Sequence, residues 1–439
     1  MPAVIKPWPA WHEFTEETKI YTQDPDFARI KQEVVSQYGK EAICESWLKT
    51  CRALEAVTED IAAKEGDFIP VFEASYVINQ GFTESETRRI KEIGCLIVHQ
   101  VISEDEAGYQ YEKLQEYISN NQEHIRGWPL ENPSMLRLYD SPTQIAIRTH
   151  PNHLQLQRKL NELWHDTSGE TNSEPLLYSD GIRDRKPRSP FLGLGPHIDA
   201  GSLCRWGDTT YRKAYHHIFS GNPELHDTFD LGARKDADQF LFSGAAHSRV
   251  FRSFQGWTAL TSAAPRAGSI MLFPHVQMAI AYILLRPFFK PPESTEDLMD
   301  ASKWKFDPDS AWFPGTFKDQ SQYLSRSSHP HLRLEECLIP SPSMRPGDSV
   351  WWHTDMIHAV DTEHLGEENA SVVFIAACPT SPVNKGYVKL QLQASLAGRP
   401  PPDYELGAGN LNETAFIGYT GFEGLRTEAK AALGFDLPM

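Results

Sequence analysis

Between about residues 175 and 380 the chain is cut into many short β-like runs separated by Pro/Gly turns, and no other feature constrains the fold as much. Examples are "PFLGLGPHIDAGSL", "GWTALTSA", "GSIMLFPHV", "GDSVWWHTDMIHAV" and "SVVFIAACP". A doubly wound sheet needs a helical crossover after each strand, and these runs have none between them. Short strands at irregular spacing instead predict an antiparallel barrel or jelly roll inside an α+β chain. Two polar stretches interrupt the pattern, near 207–250 and 287–335, and both read as loop insertions.

The flanks differ in texture. Residues 1–90 read as helical: from Ile43 the apolar positions Trp47, Cys51, Leu54, Val57 and Ile61 recur at helical spacing, a stripe that must pack on something. An N-terminal helical buttress over 1–90 is the expectation, with the β-rich domain over 91–380 and a C-terminal extension over 381–439. "GCLIVHQVI" predicts a strand from Gly94, and Ser103 with Glu106 at capping-box spacing predicts a helix directly after it. Between 135 and 165 a strand-like start gives way to an amphipathic helix. The extension holds a loop, "RPPPDYELGAGN", and a closing helix at "GLRTEAKAALG".

Composition narrows the partners. Against 42 basic residues stand 59 acidic ones, a net charge of −17, which argues against a nucleic-acid backbone or an anionic membrane as the main partner. A small-molecule substrate is the expectation. The six cysteines form no CxxC and lie mostly beside apolar residues, as reduced core cysteines of a cytoplasmic protein would. No apolar run reaches membrane-spanning length, and "MAIAYILL" reads as a core segment.

The chemistry is concentrated in histidines and aspartates. His197 and Asp199 are two apart, so on an extended strand both side chains leave the same face and can converge on one ion. Two ligands leave a divalent metal unsaturated, so a third must come from elsewhere in the fold. Two His and one carboxylate form the facial triad of non-haem Fe(II) oxygenases, which leaves positions open. A second His-x-Asp occurs at His353 and Asp355, but the histidines that follow it, His358 and His364, lie too near to come from a strand across the barrel. His197 and Asp199 are therefore the better pair, with His353 or His358 as the third ligand. The pairs His150/His153, His216/His217 and His329/His331 read as loop or surface histidines, and His275 as satisfying a turn.

"RPGDSVWW" followed by "HTDMIHAV" resembles the Fe(II)/2-oxoglutarate-dependent oxygenases, most closely their phytanoyl-CoA dioxygenase-like branch. That branch carries HxD on an early strand, then Gly-Asp, an aromatic-rich strand, and a metal His about ten residues after the Asp. His358 lies ten after Asp348 and His353 only five, so the resemblance implies His358 as the ligand. "FLGLGPHID" and "FPHVQMAIAYILLRPFF" most resemble a domain-of-unknown-function family, DUF1479. The resemblance, over roughly 90–380, implies a double-stranded β-helix core (jelly-roll, cupin-like). It also implies Fe(II) on His197, Asp199 and His358, with 2-oxoglutarate and dioxygen as cosubstrates. The implied reaction oxidises an unactivated C–H bond, by hydroxylation or by desaturation or ring closure. Asp199 argues against a halogenase, which needs that carboxylate replaced.

One departure stands out. The branch places an Arg about ten residues after the distal His to hold the far carboxylate of 2-oxoglutarate. Here that count lands on Asn369, and a buried dianion without a cation is costly. Lys186 and Arg252 are the leading substitutes, ahead of Arg185 and Arg205. The alternative is a cupin-like isomerase or a dioxygenase that does not use 2-oxoglutarate.

Overall fold

The computed structural model describes residues 8–14, 24–189, 194–244, 246–405 and 411–438. Parts of the 1–90 region, the "FLG" of "FLGLGPHID" and the end of "RPPPDYELGAGN" lie outside them.

The protein is mixed α+β, built on two principal sheets. The larger runs Val71–Glu73, Cys95–His99, Ser349–His353, Phe254–Ala259, Ala370–Thr380, Ile182–Arg185, Met135–Leu136 and Gly127–Trp128, with Asn172–Leu176 also paired to 370–380. The smaller runs Gln322–Tyr323, His197–Ile198, His358–Val360, Ile270–Leu272 and Ile339–Pro340. All pairings in these two sheets are antiparallel except that of 71–73 with 95–99. Alternation along the large sheet sorts its side chains into two layers. Trp257, Val350, Trp352 and Val372 join Ile198, Leu272, Ile339 and Ala359 of the small sheet in one core. Phe254, Trp351, Ile375 and Ala377 face a second core, shared with Leu156, Leu160 and Trp164.

The helical stripe behaves as its spacing predicts. Helix Lys40–Lys64 buries Ile43, Trp47, Cys51, Leu54 and Ile61, and Trp47 stacks on Tyr282 and Phe289 at 5.4 and 4.4 Å between ring centroids. Each such large side chain, fully buried, contributes about 2 kcal/mol. Its partner, helix Val276–Leu285, contains "MAIAYILL" and has nearly every residue buried. His275 caps that helix: its side chain accepts from the Met278 amide. The 1–90 region is not purely helical, however, because 71–73 adds a strand to the large sheet.

The predicted strand and helix form as Cys95–His99 and Glu104–Asn120. Only half of the capping box is made. Ser103 Oγ accepts from the Glu106 amide, while the Glu106 carboxylate lies 3.6 Å from His150 Nε2. The 207–250 stretch folds into short helices, among them Thr209–Ala214 and Leu231–Arg234. The 287–335 stretch is more than a loop, since it supplies the edge strand 322–323 that pairs with 197–198. The tail adds helix Pro382–Leu396 and closes with helix Thr427–Ala432. Among the described residues no helix is long and apolar enough to cross a membrane.

Candidate metal centre

The strands 197–198 and 358–360 are antiparallel neighbours in the small sheet, with His358 directly opposite His197. Cross-strand pairing brings the two rings to 4.2 Å between centroids. Asp199 leaves the same face as His197. Its Oδ1 lies 3.4 Å from His197 Nε2 and its Oδ2 3.5 Å from His358 Nε2. One ligand atom from each of the three residues fits within 4.8 Å of the others.

Local backbone fixes the rings. His197 Nδ1 lies 2.7 Å from the Gly195 carbonyl, and His358 Nδ1 3.0 Å from the Met356 carbonyl. Donation from each Nδ1–H assigns the tautomer that leaves both Nε2 lone pairs turned towards the carboxylate, the preparation a ligating imidazole needs. Past Asp199 the chain turns away sharply, with Ala200 and Gly201 both at positive φ. Buried Arg205 clamps this turn, donating to the carbonyls of Ala200 (2.7 Å) and Asp199 (3.3 Å). A side chain on Gly201 would meet the Tyr211 ring.

The electrostatics suit a cation. Burial pushes the Asp199 carboxyl up, but hydrogen bonds and charge from His197 and His358 outweigh it and hold it well below its usual range. Burial also disfavours the His197 cation, yet Asp199 raises that imidazole, while burial and the His197 charge lower His358. The carboxylate thus favours positive charge at the pair. A divalent ion meets all three lone pairs at once, with both imidazoles neutral, so the donor set fits a metal. Both imidazoles are almost fully buried, whereas the Asp199 side chain is 30% exposed, which leaves one side open to a cavity of about 340 Å³ between the two sheets.

The sequence-derived basic candidates separate. Arg252 lines the cavity. Lys186 is exposed and outside the lining, because the 182–185 strand ends before it and the chain turns through Arg188 at positive φ. Arg185 bonds the Asp361 carbonyl and Ser189, and Arg205 serves the turn already described. Asn369 gives its amide to Asp184, on the face opposite Arg183 and Arg185. A cation at 369 would therefore miss the cavity.

Sequence reasoning passed over Arg183. It sits opposite Val372 in the large sheet, lines the cavity and is buried. Its Nη2 donates to the Gly268 carbonyl at 2.6 Å, its guanidinium lies 5.7 Å from the centroid of Trp257, and its Nε has no partner among the described residues. Burial, with Arg185 adding to it, pushes its pKa down to about 10. The available signal was "IRDR", which puts two arginines on one face of a strand flanked by core. The cavity residues Asp403 and Tyr404 were equally hidden, read only as loop.

His353 is elsewhere. It lies in the second core, stacked on Trp164 at 4.8 Å, with Nε2 2.9 Å from the Thr228 carbonyl and Nδ1 accepting from the Asp355 amide. His153, His329 and His331 are buried, not surface histidines, and none belongs to a ligand cluster among the described residues.

A family model described as Gig2-like matches residues 22–435. The Escherichia coli (strain K12) protein YbiU is 27% identical over 440 residues, covering 97% of this chain and 99% of its own length. Among solved structures, GlcNAc Inducible Gene 2 (GIG2, DUF1479) of Candida albicans superposes with a TM-score of 0.81 at 27% identity, covering 94% of this chain and 90% of its own. A Salmonella typhimurium LT2 protein named "Putative Oxidoreductase" gives 0.80 at 25% identity, covering 97% and 99%.

Proposed function

The chain belongs to the Gig2-like family, and from that premise we propose that it is a mononuclear non-haem Fe(II)- and 2-oxoglutarate-dependent oxygenase acting on a small molecule. The observation that carries this reading is the cluster of His197, Asp199 and His358, with both Nε2 atoms facing one carboxylate at the wall of a cavity. In this reading those three residues hold the iron. Iron with 2-oxoglutarate and dioxygen supplies the power to oxidise an unactivated C–H bond, and 2-oxoglutarate leaves as succinate and carbon dioxide.

The strand order supports the double-stranded β-helix that such enzymes use. Strands 182–185, 254–259, 349–353 and 370–380 stand in the large sheet, and 197–198, 270–272, 339–340 and 358–360 in the small one. The chain passes repeatedly from one sheet to the other, as a jelly roll does.

Arg183 takes the place of the missing downstream arginine. It enters from the strand beside 370–380, opposite Val372, and so reaches the cavity that a cation at 369 would have missed. A buried guanidinium without an ion pair among the described residues is a costly arrangement that a bound carboxylate relieves through a bidentate bond. Lys186 is set aside for want of access. Arg183 also removes the main support for the cosubstrate-free alternative, which rested on the absence of an anchor.

The test is an anaerobic titration of metal-free protein with Fe(II) and then 2-oxoglutarate, watching for the visible charge-transfer band of a bidentate keto-acid complex. The band is expected in wild type and in His353→Ala, and lost in His358→Ala. Iron binding with no band in wild type would sink the 2-oxoglutarate reading.

A further inference from the structure

The cavity has a second charged region, distinct from Arg183. Arg252 lies two residues before the 254–259 strand, whereas Arg183 pairs at the level of Val372 and Ala259. Seven residues separate the two levels along the strand direction, about 20 Å of extended chain. Both line one cavity. With Arg183 assigned to the cosubstrate, Arg252 is left without a role.

Its surroundings are built for a ligand. The guanidinium lies 5.4 Å from the centroid of the Tyr178 ring and forms no ion pair among the described residues. The same cavity is lined by Asp180, whose Oδ1 accepts from the Gly181 amide (2.7 Å) and the Tyr404 hydroxyl (2.5 Å). Asp403 is already saturated by Tyr178, Ser248 and the Arg249 amide. Arg252 and Asp180 thus line one cavity without closing to a salt bridge among the described residues, and Asp199 and Asp403 are the other carboxylates that act on the guanidinium. Free side chains of opposite sign in a partly dry pocket collapse together. These are held apart, one over an aromatic ring and one by two donors. Burial pushes the Asp180 carboxyl up against the pull of Arg252, so its open oxygen favours a hydrogen-bonded partner.

We infer that Arg252 and Asp180 form the substrate-recognition pair, taking a small carboxylic acid whose neighbouring carbon carries a hydroxyl or an amine. The acid pairs with the guanidinium, and the hydroxyl or amine donates to Asp180. The volume of the cavity, near the lower end for ligand pockets, keeps the substrate small once the cosubstrate is seated. The inference rests on the oxygenase reading only for the division of labour between the two arginines.

The experiment measures binding by thermal shift and calorimetry, with metal-free protein and with anaerobic protein loaded with Fe(II) and 2-oxoglutarate. The probes are α-hydroxy and α-amino acids, each beside its primary amide and its unsubstituted acid. Acids are expected to bind and their amides to bind about 100-fold more weakly, the cost of leaving a buried cation unpaired. Arg252→Gln is expected to erase that preference while keeping the charge-transfer band. Asp180→Asn, which preserves shape, is expected to erase only the preference for the substituted acid. Amides binding as well as acids, no acid binding at all, or selectivity surviving both variants would overturn the inference. Loss of the band in Arg252→Gln would also overturn it, by making Arg252 the cosubstrate anchor. A wild-type protein without a band would defeat the oxygenase reading instead, and the metal-free measurements would still decide this one.

Discussion

The chain carries His-x-Asp twice, and the structure gives the two copies opposite fates. At 197–199 the imidazole spends Nδ1 on a carbonyl and leaves Nε2 facing a carboxylate beside a cavity. At 353–355 both ring nitrogens are spent, Nε2 on the Thr228 carbonyl and Nδ1 on the Asp355 amide. Asp355 is wholly buried against Arg234 at 2.5 Å and Arg205 at 3.6 Å, and Tyr215 donates to it. Identical residue types at identical spacing thus make a candidate ligand pair in one place and a structural knot in the other. What separates them is whether a lone pair is left over. The copies are also joined, since Arg205 touches Asp355 on one side and holds the backbone of Asp199 and Ala200 on the other.

The largest contrast is in stability. Asp355→Ala strands two buried guanidiniums and should cost about 3–5 kcal/mol in urea unfolding, whereas Asp199→Ala removes a part-exposed carboxylate whose imidazole partners can shed their proton, and should cost under about 2 kcal/mol. Equal losses would erase the distinction. Metal binding should reverse the order: His197→Ala or His358→Ala should weaken Fe(II) or Co(II) by more than about 100-fold, beyond the usual effect of residues that only support a ligand. His353→Ala should leave the affinity of the folded protein within about 3-fold, and calorimetry reads both. Arg183→Met should weaken 2-oxoglutarate by about 30-fold or more without changing iron affinity, and a matching loss of iron would place Arg183 in the wrong role.

The smallest effect is on pH dependence. Burial pushes the His353 pKa down to about 4, from an ordinary 6.5. Between those values the unfolded chain takes up a proton that the folded one refuses, so stability falls as pH drops from about 6.5 to about 4. One such group changes stability by at most about 1.4 kcal/mol per pH unit. His153 and His226, each pushed down to about 3 by burial, add to the same fall. His353→Asn should therefore flatten the wild-type slope by about one proton, and an unchanged slope would mean that His353 is protonated in the folded state.

The shared face of His197 and Asp199 was legible because alternation along a strand is a local rule: residues two apart share a face whatever surrounds them. The buried stripe of helix 40–64 was legible for the same reason. Arg183 was not, because its value depends on the strand next to it, and Asn369 misled because register turned it to the wrong face. Tyr404 and Asp403 reach the cavity from a segment whose composition says only loop.

By itself the sequence determined the class of fold, the faces of its strands and helices, and the donor types that can meet a metal. Those follow from periodicity and side-chain chemistry, which act over a few residues. Only the tertiary structure decided which third histidine stands beside His197 and Asp199, which arginines line the cavity, and which His-x-Asp keeps a free lone pair. Each of those depends on what long-range pairing places opposite a side chain, and on whether the partner it meets is a carbonyl, a guanidinium or open space.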